Sequence, residues 1–339
     1  SDELHPEISD LTFYKHILSF LILSIQVFIR FCYSIYCNKH FEETKYKNVW
    51  DKSLFKEMTG FAGWSMFGNL AGVLFNQGLN MLLNVFFGPV VNAARGVAVQ
   101  VQNAVQQFVG NFQMALNPQI TKTYAQGDLD GMHKLMYRSA KFSFFLLFFL
   151  SLPILFETSF ILKIWLKNVP ENTVCFLRIM ICTSLIYTLS NPLMIANQAT
   201  GKVKRYQAIC GSIQLLILPI SYIYLYLGFP AYTVFVVHFT IECVTQIVRM
   251  IMLRSMIKIR IIDYILYIYR PVLFVVIGSL SLPYLLSLYI DGDGVFKFLM
   301  VGLCCLISVS SFSYALGLSA SEREFVCMKI KKIIYKIIY

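Results

Sequence analysis

The sequence predicts an all-α, polytopic membrane protein of about nine transmembrane helices, and three observations carry that reading. Of the 339 residues, 57% are hydrophobic and only 14% charged, where soluble domains run near ~25% charged. A mean hydropathy of +0.64, with 29 Phe and 20 Tyr against 18 Asp+Glu, leaves too little polar surface to coat a water-soluble globule. The apolar residues also gather in runs of about 20, the length a helix needs to cross a hydrocarbon core roughly 30 Å thick.

Nine such runs are legible, at approximately 13–36, 58–87, 93–117, 140–158, 173–194, 207–227, 231–252, 271–290 and 296–318. The second is long enough to tilt, and its Gly60, Gly63, Gly68, Gly72 and Gly78 predict close approach of a neighbouring helix. Residues 259–269 alternate isoleucine, tyrosine and leucine, and 325–339 mix Lys with Ile and Tyr. Both read as segments lying on the membrane surface.

The net charge of +11 does not form one basic face, which argues against a nucleic-acid partner. Lys and Arg instead cluster in alternate connections: Lys39 to Lys56, Lys122 to Lys141, Lys202 to Arg205, Arg254 to Arg270, and Arg323 to Lys336. The other connections hold only Arg95, Lys163 and Lys167. Positive charge accumulates on the cytoplasmic side, so the C-terminus is expected there and, with nine spans, the N-terminus outside. Ser1 to Asp10 is acidic and does not read as a cleavable signal peptide. The nine cysteines show no C-x-x-C spacing and read as small buried hydrophobes, neither disulfides nor metal ligands.

No catalytic signature is present. Gly201-Lys202 lacks the upstream glycine of a phosphate-binding loop, and G-x-S-x-G and H-E-x-x-H are absent. Gly127-Asp128-Leu129-Asp130-Gly131 resembles a calcium loop only loosely and reads as a turn. No enzyme, cofactor or metal is expected.

The polar residues at membrane depth are more informative. On a helix, Asn69, Asn76, Asn80 and Asn84 fall at about 0°, −20°, 20° and 60°, one narrow stripe. In the third run Arg95, Gln102, Gln106 and Gln113 fall at about 0°, −20°, 20° and 0°, with Gln100, Asn103, Gln107 and Asn111 in the adjoining sector. A bare amide in hydrocarbon costs several kcal/mol, so these faces meet protein or water. Two readings stand: a water-filled substrate cavity, or interhelical hydrogen bonds at roughly 0.6 to 2 kcal/mol each. Amides offer donors and acceptors suited to hydroxyl-rich ligands, and Arg95 could hold a phosphate. In the seventh run His238, Glu242, Thr245 and Arg249 share a face at about 0°, 40°, −20° and 20°. Glu242, with His238 and Arg249, is a candidate for ion coupling; a neutralising contact between Glu242 and Arg249 is the alternative.

Four strings carry a family resemblance: Val49-Trp50-Asp51-Lys52-Ser53-Leu54-Phe55-Lys56-Glu57-Met58 with Phe61-Ala62-Gly63-Trp64; Phe86-Phe87-Gly88-Pro89-Val90-Val91-Asn92-Ala93-Ala94-Arg95-Gly96; Asn117-Pro118-Gln119-Ile120-Thr121-Lys122; and Ala199-Thr200-Gly201-Lys202. Together they resemble the O-antigen and capsular repeat-unit flippases of the multidrug/oligosaccharidyl-lipid/polysaccharide exporter superfamily, in their Bacteroidetes-like form. The similarity weakens after about residue 255.

The resemblance implies the second lobe of a two-lobe, MATE-like transporter with alternating access. Residues 1–36 would be an outer segment and the last helix of the first lobe, and 37–57 the cytoplasmic connection between lobes. Residues 58–254 would form the second six-helix lobe, 255–318 a surface segment with two appended helices, and 319–339 a cytoplasmic basic tail. The implied function is flipping of an undecaprenyl-pyrophosphate-linked oligosaccharide across the bacterial inner membrane for lipopolysaccharide or capsule synthesis. H+ or Na+ would be the coupling ion, and the partners would be membrane lipids and other polysaccharide-assembly proteins. A drug or cation exporter of the same superfamily is the alternative, and a membrane glycosyltransferase or polymerase of the same pathway a third.

Overall fold

The computed structural model describes residues 5–44, 50–166, 168–290, 294–324 and 327–328, with side chains placed from residue 17 onward apart from Glu43. Among these residues every regular element is helical. The helices are α1 (His5–His40), α2 (Lys52–Phe87), α3 (Pro89–Ala125), α4 (Leu129–Phe156), α5 (Thr158–Trp165), α6 (Thr173–Ala199), α7 (Val203–Leu215), α8 (Ile217–Tyr226), α9 (Thr233–Met256), α10 (Ile261–Tyr264), α11 (Arg270–Tyr289) and α12 (Val295–Phe312). π-helical turns precede α11 at Ile265–Tyr269 and follow α12 at Ser313–Gly317.

Eight helical segments among the described residues are long and apolar enough to cross a membrane, so the chain is a multi-pass membrane protein. The ninth expected span is α3. At 37 residues it is about 55 Å long, but its load of amides keeps it below the apolarity of the other eight.

Two compact units divide the chain, residues 1–56 and 57–339. In the first, α1 turns large apolar side chains outward on every side, including Phe20 and Phe28. Its C-terminal turn closes with His40 Nδ1–H donating to the Tyr36 carbonyl at 2.9 Å. In the second unit, α3, α4, α6 and α9 form the central bundle, and α11 and α12 pair with each other and lean on α4. Its core includes Leu83, Ala94, Ala98, Met136, Phe176, Leu193 and Leu253, all fully buried.

Local chemistry sets the ends of these helices. Asp51 caps α2, its Oδ1 accepting from the N–H groups of Ser53 at 2.8 Å and Leu54 at 3.1 Å. Between α2 and α3 the chain reverses at Gly88, whose φ of 78° suits glycine. Pro89 follows at the first helical position, where its missing N–H costs nothing. Asp128 caps α4 by accepting from the Gly131 N–H at 2.8 Å, which gives the Gly127–Gly131 string its structural role. The run expected as one span at 207–227 is one candidate span, Val203–Tyr226, with a local irregularity at Leu216 between α7 and α8. Pro219 removes one helical N–H and crowds the carbonyl of Leu215.

Three expectations are corrected. Residues 261–269 are not a separate surface segment: they run helically into α11, with Tyr264 and Ile268 buried and Tyr264 Oη donating to the Leu189 carbonyl of α6 at 2.8 Å. Of the α2 glycines, only Gly68 and Gly78 are approached closely, by Gln207 of α7 and Leu218 of α8, while Gly60, Gly63 and Gly72 face open space. The nine cysteines are all free, but only Cys210 and Cys305 are buried. Most of the basic tail at 325–339 lies outside the described residues.

Candidate functional site

The polar stripes read separately from α2, α3 and α9 meet in one cavity of about 410 Å³. Its walls are Asn69, Phe75 and Asn76 of α2; Arg95, Gln102, Asn103 and Gln106 of α3; Met180, Thr183, Ser184 and Tyr187 of α6; Gln214 of α7; and Phe235, His238 and Glu242 of α9. The volume falls within the range of small-molecule sites, roughly 300–1,000 Å³.

Arg95 sits about 9 Å along α3 from Pro89 and is buried. Its Nη1 donates to Asn80 Oδ1, and Nη2 donates to Asn76 through Oδ1 at 3.3 Å and the carbonyl at 3.4 Å. The α2 asparagines therefore position the guanidinium. Its Nε–H has no hydrogen-bond partner among the described residues, and a buried donor left this way costs about 1–3 kcal/mol.

Deeper along α3, Gln102 and Gln106 converge on one hydroxyl. Gln102 Nε2 donates to Ser184 Oγ at 2.7 Å and to the Met180 carbonyl at 3.2 Å, and Gln106 Nε2 donates to the same Oγ at 2.9 Å. Ser184 in turn donates to the Met180 carbonyl at 2.9 Å. Both glutamines are thus fixed through their NH₂ groups, and each keeps an acceptor oxygen outside these bonds.

On α9, the His238 ring packs edge-on against Phe75 at 4.6 Å between centroids. Glu242 Oε1 accepts from Arg249 Nη1 at 2.7 Å with both side chains almost fully buried. Ser190 Oγ lies 3.4 Å from the same Glu242 oxygen and donates to Gln246 Oε1 at 2.6 Å. Two turns separate the partners, so Arg249 neutralises the carboxylate from behind while Glu242 remains in the cavity wall.

Not every expected residue reaches the cavity. Asn84 is exposed on α2, two turns beyond Asn76, and does not line it. Gln113 is buried away from it, with Nε2 donating to the Thr188 carbonyl of α6 at 3.3 Å; this amide ties two helices together. Asn80 acts through Arg95, and Arg249 through Glu242. Gln100, Gln107 and Asn111 lie on an exposed flank of α3, where Gln107 Nε2 donates to Asn111 Oδ1 at 3.1 Å.

Sequence reading missed the α6 wall. Met180, Thr183, Ser184, Tyr187 and Met194 recur at helical spacing, a stripe visible in principle. Its polar members are small, however, and sit among residues ordinary for a membrane helix. Gln214 is the sole α7 residue in the cavity wall and carries no periodic signal.

Compared with protein-family models, with curated proteins and with solved structures, the chain shows no match. Fold and site together define an all-α, multi-pass membrane protein with an amide-lined polar cavity inside its helical bundle.

Proposed function

We propose that this protein moves a lipid-linked oligosaccharide across the bacterial inner membrane, as the second lobe of a two-lobe, ion-coupled flippase with alternating access. The observation that carries the proposal is the cavity wall: amides and hydroxyls from four helices, with the Arg95 side chain among them. Amides and hydroxyls pair with sugar hydroxyls in either direction, and the guanidinium suits a phosphate oxygen. A lipid tail would remain in the surrounding bilayer.

Charge balance disfavours a cation exporter, because Arg249 neutralises Glu242 and Arg95 adds positive charge. The exposed amides of α3, Gln100, Asn103, Gln107 and Asn111, support the two-lobe reading, since an amide flank in hydrocarbon needs a polar cover. The basic connections support a cytoplasmic C-terminus for such a transporter. Glu242 would couple transport to H+ or Na+ by exchanging Arg249 for the ion.

The test is transport in proteoliposomes containing the complete transporter and a fluorescent lipid-pyrophosphate oligosaccharide. Gln102→Ala, Gln106→Ala and Arg95→Ala are each expected to slow flipping at least tenfold while the protein still inserts. Wild-type rates in all three would reject the cavity as the substrate path.

A further inference from the structure

Between α9 and α10 the chain turns through Ile257 to Arg260 and builds a second cavity, distinct from the polar one. It has a volume of about 430 Å³ and is lined by Arg254, Lys258, Ile259, Arg260, Ile261 and Ile262. Lys258 holds a φ of 55°, in the left-handed region that side-chain-bearing residues seldom occupy and that persists only where the surroundings enforce it. Here the enforcement is visible on both sides. Ile257 and Ile259 are 0% and 2% exposed, and His133 of α4 donates its Nε2–H to the Ile257 carbonyl at 2.9 Å. With its neighbours pinned, Lys258 is held outward at a fixed position beside Arg254 and Arg260.

The three cations are poorly compensated. Among the described residues Arg254 and Lys258 form no ion pair, and Arg260 meets Asp263 only at 3.7 Å with the arginine side chain 77% exposed. The turn separates two candidate spans, Thr233–Met256 and Ile261–Tyr289, which puts it at one boundary of the hydrocarbon layer. Ile261 and Ile262 share its lining, and Ile262 is exposed. Charge at headgroup level beside apolar side chains at acyl level is complementary to one kind of molecule.

We propose that this turn is a binding site for an anionic phospholipid, with Arg254, Lys258 and Arg260 around the headgroup phosphate and the isoleucines along the acyl chains. A free phosphate could use the cations but would gain nothing from Ile261 and Ile262. The site is independent of the transport reading above, needing only that the chain is embedded in a membrane.

Native mass spectrometry of the purified full chain in detergent provides the test, with dioleoyl phosphatidylglycerol, dioleoyl phosphatidylcholine and inorganic phosphate as probes. Phosphatidylglycerol should be retained in preference to phosphatidylcholine. Replacing Arg254, Lys258 and Arg260 together by Gln should weaken it about 100-fold, at roughly a factor of 5 per cation. The same replacement at Lys202, Lys204 and Arg205 should leave retention unchanged. Lys258→Gly guards against misfolding, because glycine relieves the backbone strain; it should melt no lower than wild type and still bind phosphatidylglycerol about 5-fold more weakly. Equal phosphatidylglycerol affinity in wild type and Lys258→Gly would overturn the proposal. Full displacement of the lipid by millimolar inorganic phosphate would overturn it too, assigning the turn to a free anion.

Discussion

Glu242 and Arg249 show how much one buried contact can weigh. Each is almost wholly removed from solvent and they meet at 2.7 Å. Removing one partner leaves an uncompensated charge and costs about 3–5 kcal/mol. Arg249→Ala is therefore expected to lower the melting temperature sharply. Glu242→Gln combined with Arg249→Gln should recover much of the loss, as thermal unfolding in detergent would reveal; no recovery would mean that the cost lies in packing around Arg249. The glutamines of α3 allow a finer distinction. In a cysteine-free background, Gln102→Cys and Gln106→Cys should react with a water-soluble thiol reagent, because both positions line the cavity. Gln113→Cys should be protected, because Gln113 is sealed between α3 and α6. Equal reactivity at all three would mean that water follows the whole stripe.

At the scale of elements, the contact between α2 and α8 depends on a missing side chain. A Cβ at Gly78 would meet the Leu218 side chain at 2.6 Å, so Gly78→Leu should push α2 away and cost about 1–3 kcal/mol. Gly60 has no neighbour within 4 Å, and Gly60→Ala should stabilise α2 by about 0.5–1 kcal/mol through helix propensity alone. Paired melting curves would separate the two effects; equal shifts would contradict the packing difference. The C-terminal segment is held to α4 by Glu322, whose Oε2 accepts from Lys141 Nζ at 2.5 Å and from the Ser319 N–H at 2.8 Å. The Ser319 contact is the return half of a capping box. Burial pushes the Glu322 carboxyl up, but the bonds from Lys141 and Ser319 outweigh it and leave the pKa below its ordinary value of 4.5. A depressed carboxyl favours the folded state above its unfolded pKa, and that contribution is lost as pH falls through the folded pKa. Protection from hydrogen exchange around residues 319–324, taken relative to the intrinsic rate at each pH, should therefore be high at neutral pH and be lost only on acidification below the ordinary carboxyl value. Glu322→Gln should exchange quickly at both; an unchanged neutral-pH rate in that variant would remove Glu322 as the anchor.

For the whole molecule the outstanding quantity is orientation in the bilayer. Alternate connections differ in basic charge, and the rule that positive loops stay inside makes opposite sides of the membrane the expected location for successive ones. Gln126→Cys, in the exposed turn between α3 and α4, and Phe229→Cys, in the exposed turn between α8 and α9, should label from opposite faces in oriented vesicles. Labelling of both from one face would require one of the three candidate spans between these turns, Leu129–Phe156, Thr173–Ala199 or Val203–Tyr226, not to cross.

Composition and periodicity alone were enough for the all-helical, multi-pass class, because hydrocarbon leaves the backbone no other way to satisfy its hydrogen bonds than a helix or a closed barrel. The stripe of Asn69, Asn76 and Asn80, that of Arg95, Gln102 and Gln106, and the His238 and Glu242 face were each legible for the same reason: a helix repeats every 3.6 residues whatever surrounds it. Which of those stripes face one another was not legible, since it depends on how helices far apart in sequence pack. Only the tertiary structure put Ser184 of α6 between Gln102 and Gln106, hid Gln113 against Thr188, left Asn84 outside and closed α2, α3, α6, α7 and α9 around a single cavity. Amphipathicity tells a helix that it needs a polar partner, and packing decides which partner it gets.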